Sequence, residues 1–159
     1  MAITVKSEGL DALGELIEKM AERAPQVAAK ALYEGAGVMA KEVTAGARAI
    51  RTEEFRYASV SKGETRQPSP EEKAAVEGAV GIAKFDMNGA EVQTSIGYGN
   101  AGYTEIKGKR IAVAKIANAI NSGTSFMQKQ PFIRKAANSG KGKAVEAMKA
   151  VLEEEYKTN

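Results

Sequence analysis

A chain of 159 residues has the length of one domain and can bury one modest core. It contains no histidine and no cysteine, which excludes Ser-His and Cys-His nucleophile pairs, histidine metal ligands, an imidazole switch near neutral pH, and disulfides. The net charge of +3 is too small an excess to imply a nucleic-acid partner by itself, and with four Phe, five Tyr and no Trp the helices are expected to pack through alanine and glycine.

The N-terminal MAITVKSEGL lacks a basic region followed by an apolar run, so no signal peptide is expected. No stretch approaches the roughly 20 apolar residues that a membrane span needs. Ile3–Lys6 alternates as a short strand would, and Ser7 suits an N-cap with Glu8 and Asp11 near the positive helix end. Leu10, Leu13, Ile17 and Met20 then share one helical face. Ala24-Pro25 predicts a restart or a kink. A second stripe follows at Ala28, Leu32, Gly35, Met39, Val43 and Gly46. Each glycine there costs about 1 kcal/mol relative to alanine, so close approach of another backbone is expected at the stripe, within the domain or across a subunit interface.

Arg48 to Pro68 has no sustained period and mixes Arg48, Arg51, Arg56, Lys62 and Arg66 with Glu53, Glu54 and Glu64. A segment of this length without structure of its own reads as a mobile connector, or as a basic arm that orders on assembly. Ser69-Pro70-Glu71-Glu72 is a capping box with proline at the first helical position, opening a helix to about Ala79. Glu71 and Glu72 are adjacent, so they diverge on that helix and do not form a paired-carboxylate site. From Gly81 the period becomes two. Asn88-Gly89 signals a type I′ hairpin pairing Met87 with Ala90 and Phe85 with Val92. One apolar face of that hairpin is expected to lie on helices, with the N-terminal strand or a neighbouring subunit extending it.

Gly97 to Arg110 reads as a glycine-rich loop with a basic end. It fails the nucleotide patterns: Lys109 is followed by Arg110 where a phosphate loop needs Ser or Thr, and no GxGxxG follows a strand and opens a βαβ unit. Gly-Asn-Ala-Gly at 99–102 follows a hairpin strand, whereas the GxxG loop of a KH domain joins two helices. Ile111 to Ile120 resumes helix, with Val113, Ile116, Ala117 and Ile120 on one side. After it, Gly123 is placed to stop the helix and Pro131 to start the next. Between them lies an exposed loop holding Phe126 and Met127, and Phe132 sits just inside the new helix. Ile133, Ala137, Gly140, Ala144, Met148 and Val151 continue it, with a kink admissible at Ser139–Gly142. Glu153–Glu155 stand at the negative helix end, offset by Lys157 four residues after Glu153. They either fray into solvent or meet a basic patch on a neighbour.

The order Asn-Ser-Gly-Thr, a short polar loop, then Pro-Phe-Ile-Arg-Lys-Ala resembles a signature of the tail-completion, or head-to-tail joining, proteins of long-tailed bacteriophages and phage-tail-like elements. The matching positions are Gly123, Thr124, Pro131, Phe132, Ile133, Arg134 and Ala136. The resemblance implies a virion protein, assembled in the bacterial cytoplasm, that completes or caps the tail or joins it to the neck. It would act by binding, with no catalytic, cofactor-binding or metal site. It would form a ring of identical subunits, sixfold in the particle, whose partners are its own copies, the tail tube and neck or connector proteins. Weak contact with DNA in the channel is compatible with this, and no membrane is implied. The candidate assembly interface is Gly123, Thr124, Phe126, Met127, Lys129, Pro131 and Phe132. The candidates for the lumen or a subunit joint are Arg48, Arg51, Arg56, Lys62 and Arg66. A basic nucleic-acid-binding module is the alternative, weakened by the lack of a recognition motif and by the small number of aromatics beside the basic residues. The expected fold is a single α+β domain over residues 1–159, with N- and C-terminal helices packed on a small antiparallel sheet built around a hairpin.

Overall fold

The computed structural model describes residues 11–88 and 91–157, so the expected strand at Ile3–Lys6 and the Ser7 cap lie outside the described residues. The class is α+β. Helix α1 (Asp11–Arg48) leads through a 3-10 turn at Val60–Lys62 to helix α2 (Pro70–Glu77). Six short strands follow: β1 (Gly81–Ile82), β2 (Asp86–Asn88), β3 (Glu91–Gln93), β4 (Ile96–Gly97), β5 (Tyr103–Ile106) and β6 (Lys109–Ala112). Helices α3 (Val113–Ser122) and α4 (Phe132–Lys157) complete the chain. In place of one small sheet there are, among the described residues, three antiparallel pairs, β1–β4, β2–β3 and β5–β6.

Helix α1 does not restart at Pro25, which lies inside it. A proline removes one hydrogen bond to the carbonyl four residues back, here that of Ala21. Ala21 is exposed, so solvent can take that bond. The stripe of small residues has its reason within the domain. Helix α4 runs antiparallel along α1, and the two backbones approach where the glycines lie. A Cβ on Gly35 would stand 2.8 Å from Met148 Cγ, one on Gly46 3.1 Å from the Phe132 carbonyl, and one on Gly140 2.8 Å from Met39 Sδ. Methionine is suited to such seams because its unbranched chain fills irregular gaps. Helix α4 is continuous through Ser139–Gly142. Its outer end carries ion pairs: Glu155 pairs with Lys30 of α1 and lies 3.9 Å from Arg23, and Lys157 lies 3.8 Å from Glu153.

The core gathers around α3, whose Val113, Ile116, Ala117 and Ile120 are all buried. Against them lie Val43, Ala47 and Ile50 of α1, Val76 of α2, Ile106 of β5, and Tyr98, Met127 and Phe132. The capping box of α2 forms as its residues dictate. Ser69 Oγ accepts from Glu72 N at 3.2 Å, and Glu72 Oε2 accepts from Ser69 N at 2.7 Å.

The first hairpin keeps its place but changes register: Met87 pairs with Val92 and Asn88 with Glu91, where Met87 with Ala90 was expected. The slip is an even number of residues, so it does not exchange the two faces of the strands. Residues 83–85 then oppose only 94–95 before Ile82 pairs with Ile96, a bulge that turns the ribbon. The ribbon lies on α1, with Phe85 6.0 Å from Tyr33. The stretch 97–110 is not a loop throughout. It contains the tight hairpin β5–β6, whose two turn residues, Lys107 and Gly108, both take positive φ (50° and 74°). That is the sign pattern of a type I′ turn.

Candidate functional site

The joint between α3 and α4 is set by side chains of the stretch Asn121–Pro131. Gly123 ends α3 at φ 77° and ψ 162°, a region essentially restricted to glycine. A Cβ there would also stand 2.9 Å from Lys129 Cβ. Thr124 closes the loop: its N–H donates to the Met127 carbonyl at 2.9 Å, and its hydroxyl accepts from Met127 N at 2.9 Å and Phe126 N at 3.3 Å. Pro131 serves as the N-cap of α4, one position earlier than expected, with its carbonyl accepting from Lys135 N at 3.1 Å. Asn121 reaches across from α3, its Oδ1 accepting from Ile133 N at 3.1 Å and satisfying a first-turn donor that α4 itself cannot.

This geometry divides the expected interface residues. Phe126 is 41% exposed, and Thr124 and Lys129 are also at the surface. Met127, expected in the exposed loop, is 2% exposed, because the Thr124 turn and the pairing described next face it into the core. Phe132 is buried at 5% and packs on Tyr98 with ring centroids 6.3 Å apart. Gly123 and Pro131 are half-buried. Met127 and Phe132 therefore support the surface and do not form it.

The basic segment 48–68 has little repetitive structure, but it is tied down along its length. Glu53 N donates to the Pro68 carbonyl at 3.1 Å, and a small loop closes where Glu64 N donates to the Ser59 carbonyl at 3.1 Å. Arg66 forms a parallel bridge with Met127: Arg66 N donates to the Phe126 carbonyl at 2.8 Å and Gln128 N to the Arg66 carbonyl at 2.9 Å. Gln130 extends the seam by accepting from Arg51 N and donating to the Arg51 carbonyl, both at 2.9 Å.

Three of the five basic side chains are engaged by carboxylates of the same chain. Arg48 pairs with Glu77 at 2.8 Å and Arg56 with Glu53 at 3.0 Å. Arg66 cannot line a lumen, because it is buried in a two-pronged pair with Glu72 at 2.7 and 2.6 Å. Its guanidinium also stands 5.0 Å over the Phe55 ring. Burial pushes the Glu72 carboxyl up, but the hydrogen bonds from Arg66 and Ser69 outweigh it and hold it below the usual carboxylate range. Arg51 and Lys62 keep exposed side chains.

Where segment 55–60, hairpin β5–β6, α3 and loop 124–127 meet, they enclose an open groove of about 590 Å³. Its floor includes Ile106, Ile116 and Met127, and its walls include Tyr57, Val60 and Phe126. Lys107, Lys109 and Lys115 stand at its edge, and Glu72, the only acid among the described residues that line it, is already paired with Arg66. Lys107 lies 5.8 Å over the Phe55 ring and Lys109 5.9 Å over that of Tyr57. Sequence reasoning missed this groove because it treated 97–110 as loop. Lys107-Gly108 between alternating Thr104-Glu105-Ile106 and Lys109-Arg110-Ile111 was the available signal. Among the described residues that line it, the titratable groups are lysines, a tyrosine and one buried ion pair. Among the described residues no group of three acidic side chains could hold a metal ion, and no helix is long and apolar enough to cross a membrane.

No family model, curated protein or solved structure matches the chain.

Proposed function

We propose that this chain is a tail-completion or head-to-tail joining protein of a long-tailed phage or phage-tail-like element, working as one subunit of a ring and acting by binding. The observation that carries the reading is the Asn121–Ala136 joint. The residues that carry the resemblance are those that set its geometry: Gly123 by its positive φ, Thr124 by its turn, Pro131 by capping α4 and Phe132 by anchoring the core. They hold up a surface of Phe126, Thr124 and Lys129 beside an apolar groove. An exposed apolar groove with a polar edge is the kind of feature that marks an interaction site. Self-copies, the tail tube and neck or connector proteins are the proposed partners, and the virion is the proposed location. The nucleic-acid reading draws less support, because Arg48, Arg56 and Arg66 are each engaged by a carboxylate of the same chain. Quantitative mass spectrometry of purified particles tests the proposal. The chain is expected at a fixed stoichiometry with tail or neck components, and its absence from intact particles would refute it.

A further inference from the structure

The walls and edge of the groove fit one kind of occupant. Its floor is apolar, and Tyr57, Val60 and Phe126 on its walls are 74%, 54% and 41% exposed. Among the described residues no carboxylate forms an ion pair with Lys107, Lys109 or Lys115, and the one acid lining the groove is held by Arg66. The edge therefore presents three uncompensated positive charges beside an apolar floor. A further feature lies in the wall. From Arg51 to Ser59 the chain runs without helix, turn or bend, and among the described residues the N–H and C=O groups of Phe55, Arg56, Tyr57 and Ala58 make no backbone hydrogen bond. Such a run of unpaired backbone is the template that strand addition uses.

We infer that the groove receives an extended segment of another protein in which apolar and acidic residues alternate. Successive side chains of a strand point to opposite sides. One set enters between Tyr57 and Phe126, the other turns its carboxylates to the lysine edge, and the backbone pairs along Phe55–Ala58. Opposite charge across such a contact selects the partner. An acyl chain would suit the floor but offers nothing to the N–H and C=O groups of the wall. A nucleic-acid strand would suit the lysines but lacks aliphatic groups for a floor of Ile106, Ile116 and Met127. The exposed apolar row of α4, Val145–Leu152–Tyr156, has Lys149 standing on it, and Glu146 and Glu153 beside it are paired with Lys149 and Lys157. That row of a second copy is therefore not the acidic complement. The inference rests on the reading above only in taking the partner to be a neck or tail component.

Fluorescence anisotropy of the purified full chain tests this with labelled octapeptides of alternating Val-Glu, Val-Lys and Ser-Glu. The Val-Glu peptide is expected to bind with a Kd between roughly 1 μM and 1 mM, more weakly as salt rises, and the other two at least about tenfold more weakly. Lys109→Glu/Lys115→Glu changes two exposed positions, and circular dichroism checks that it remains folded. This variant is expected to reverse the preference, from Val-Glu to Val-Lys. Val-Glu peptides N-methylated at every valine or at every glutamate probe the backbone pairing, and at least one of the two is expected to lose binding. No binding by the wild type, equal binding of Ser-Glu, an unchanged preference in the variant, or full binding of both methylated peptides would each overturn the inference. Tight binding of decanoate or single-stranded DNA in place of the peptide would do the same. Self-association that the lysine variant abolishes, seen by analytical ultracentrifugation, would overturn it in favour of a second copy. Failure of the proposed function is distinguishable: a chain that selects the Val-Glu peptide but is absent from particles refutes the tail role and leaves the chemistry of the groove standing.

Discussion

Glu72→Gln probes the point at which the basic segment, helix α2 and the groove floor are joined. The carboxylate accepts two short hydrogen bonds from Arg66 and one from Ser69 N, at 2.7, 2.6 and 2.7 Å, and both Arg66 and Glu72 are buried. Glutamine preserves the shape and one acceptor but leaves the guanidinium buried without a counter-charge. Removing one partner of a buried ion pair typically costs about 3–5 kcal/mol. At about 2–4 °C per kcal/mol for a chain of this size, the melting temperature is expected to fall by roughly 6–20 °C. Arg66→Met belongs in the same range. The double replacement Arg66→Met/Glu72→Met is expected to cost less than the two single changes added together, because no charge is stranded. What it still loses is the return bond to Ser69 N, about 0.5–2 kcal/mol on the scale of helix caps, together with the Arg66 bond to the Gln67 carbonyl and the guanidinium's contact with the Phe55 ring.

Acid titration provides a second readout for the same pair. The folded Glu72 pKa is depressed, so its contribution is fully present above the unfolded value near ~4.3 and is lost as pH falls through the folded value. Glu72→Gln is expected to lack that component of the acid sensitivity. Thermal melts at neutral pH and across the acid range decide the matter. Single variants that cost less than about 1 kcal/mol would place the pair in the class of exposed salt bridges and refute the reasoning.

Phe132→Ala is expected to destabilise the isolated subunit by about 3–5 kcal/mol, as truncation of a core phenylalanine does. Phe126→Ala is expected to leave the melting temperature nearly unchanged while lowering incorporation into particles, and equal destabilisation by the two substitutions would contradict the division between support and surface. Among the described residues the buried hydroxyl of Tyr98 has no hydrogen-bond partner, and burial pushes its pKa up to about 12. Tyr98→Phe is therefore expected to stabilise by about 1–3 kcal/mol. The raised pKa also means that stability is intact below the unfolded value near ~10 and is lost as pH rises toward the folded one. The phenylalanine variant is expected to lose that alkaline dependence, and chemical denaturation at pH 8 and pH 11 checks both effects. Labelled DNA titrated at physiological salt is expected to bind more weakly than micromolar with steep salt dependence, and submicromolar binding would favour the nucleic-acid reading.

What was legible in the chain is mostly what short-range chemistry decides. Ser69-Pro70-Glu71-Glu72 forms its capping box because all the atoms involved lie within four residues. The α3 stripe is buried because its period leaves one face to bury. Gly35 and Gly46 announced a close approach, although only the fold shows that their neighbours are Met148 and Phe132, and Gly140, read as part of an admissible kink, proves to be a third such point against Met39. What was not legible depends on partners distant in sequence. Met127 reads as a loop residue until Arg66, some sixty positions earlier, pairs with it. Arg66 reads as one charge in a basic run until Glu72 removes it from the surface. The β5–β6 hairpin was hidden by its own turn, because Lys107 takes the φ of 50° that the usual signal assigns to Asn or Asp. Losing that hairpin meant losing the groove and its lysine edge.

Electron microscopy of particles produced without this chain tests the central claim most directly. The account predicts finished heads beside tails that are unjoined or lack their terminal ring, with joining restored by the wild-type chain and poorly by Phe126→Ala. Normally joined, infectious particles in its absence would contradict it.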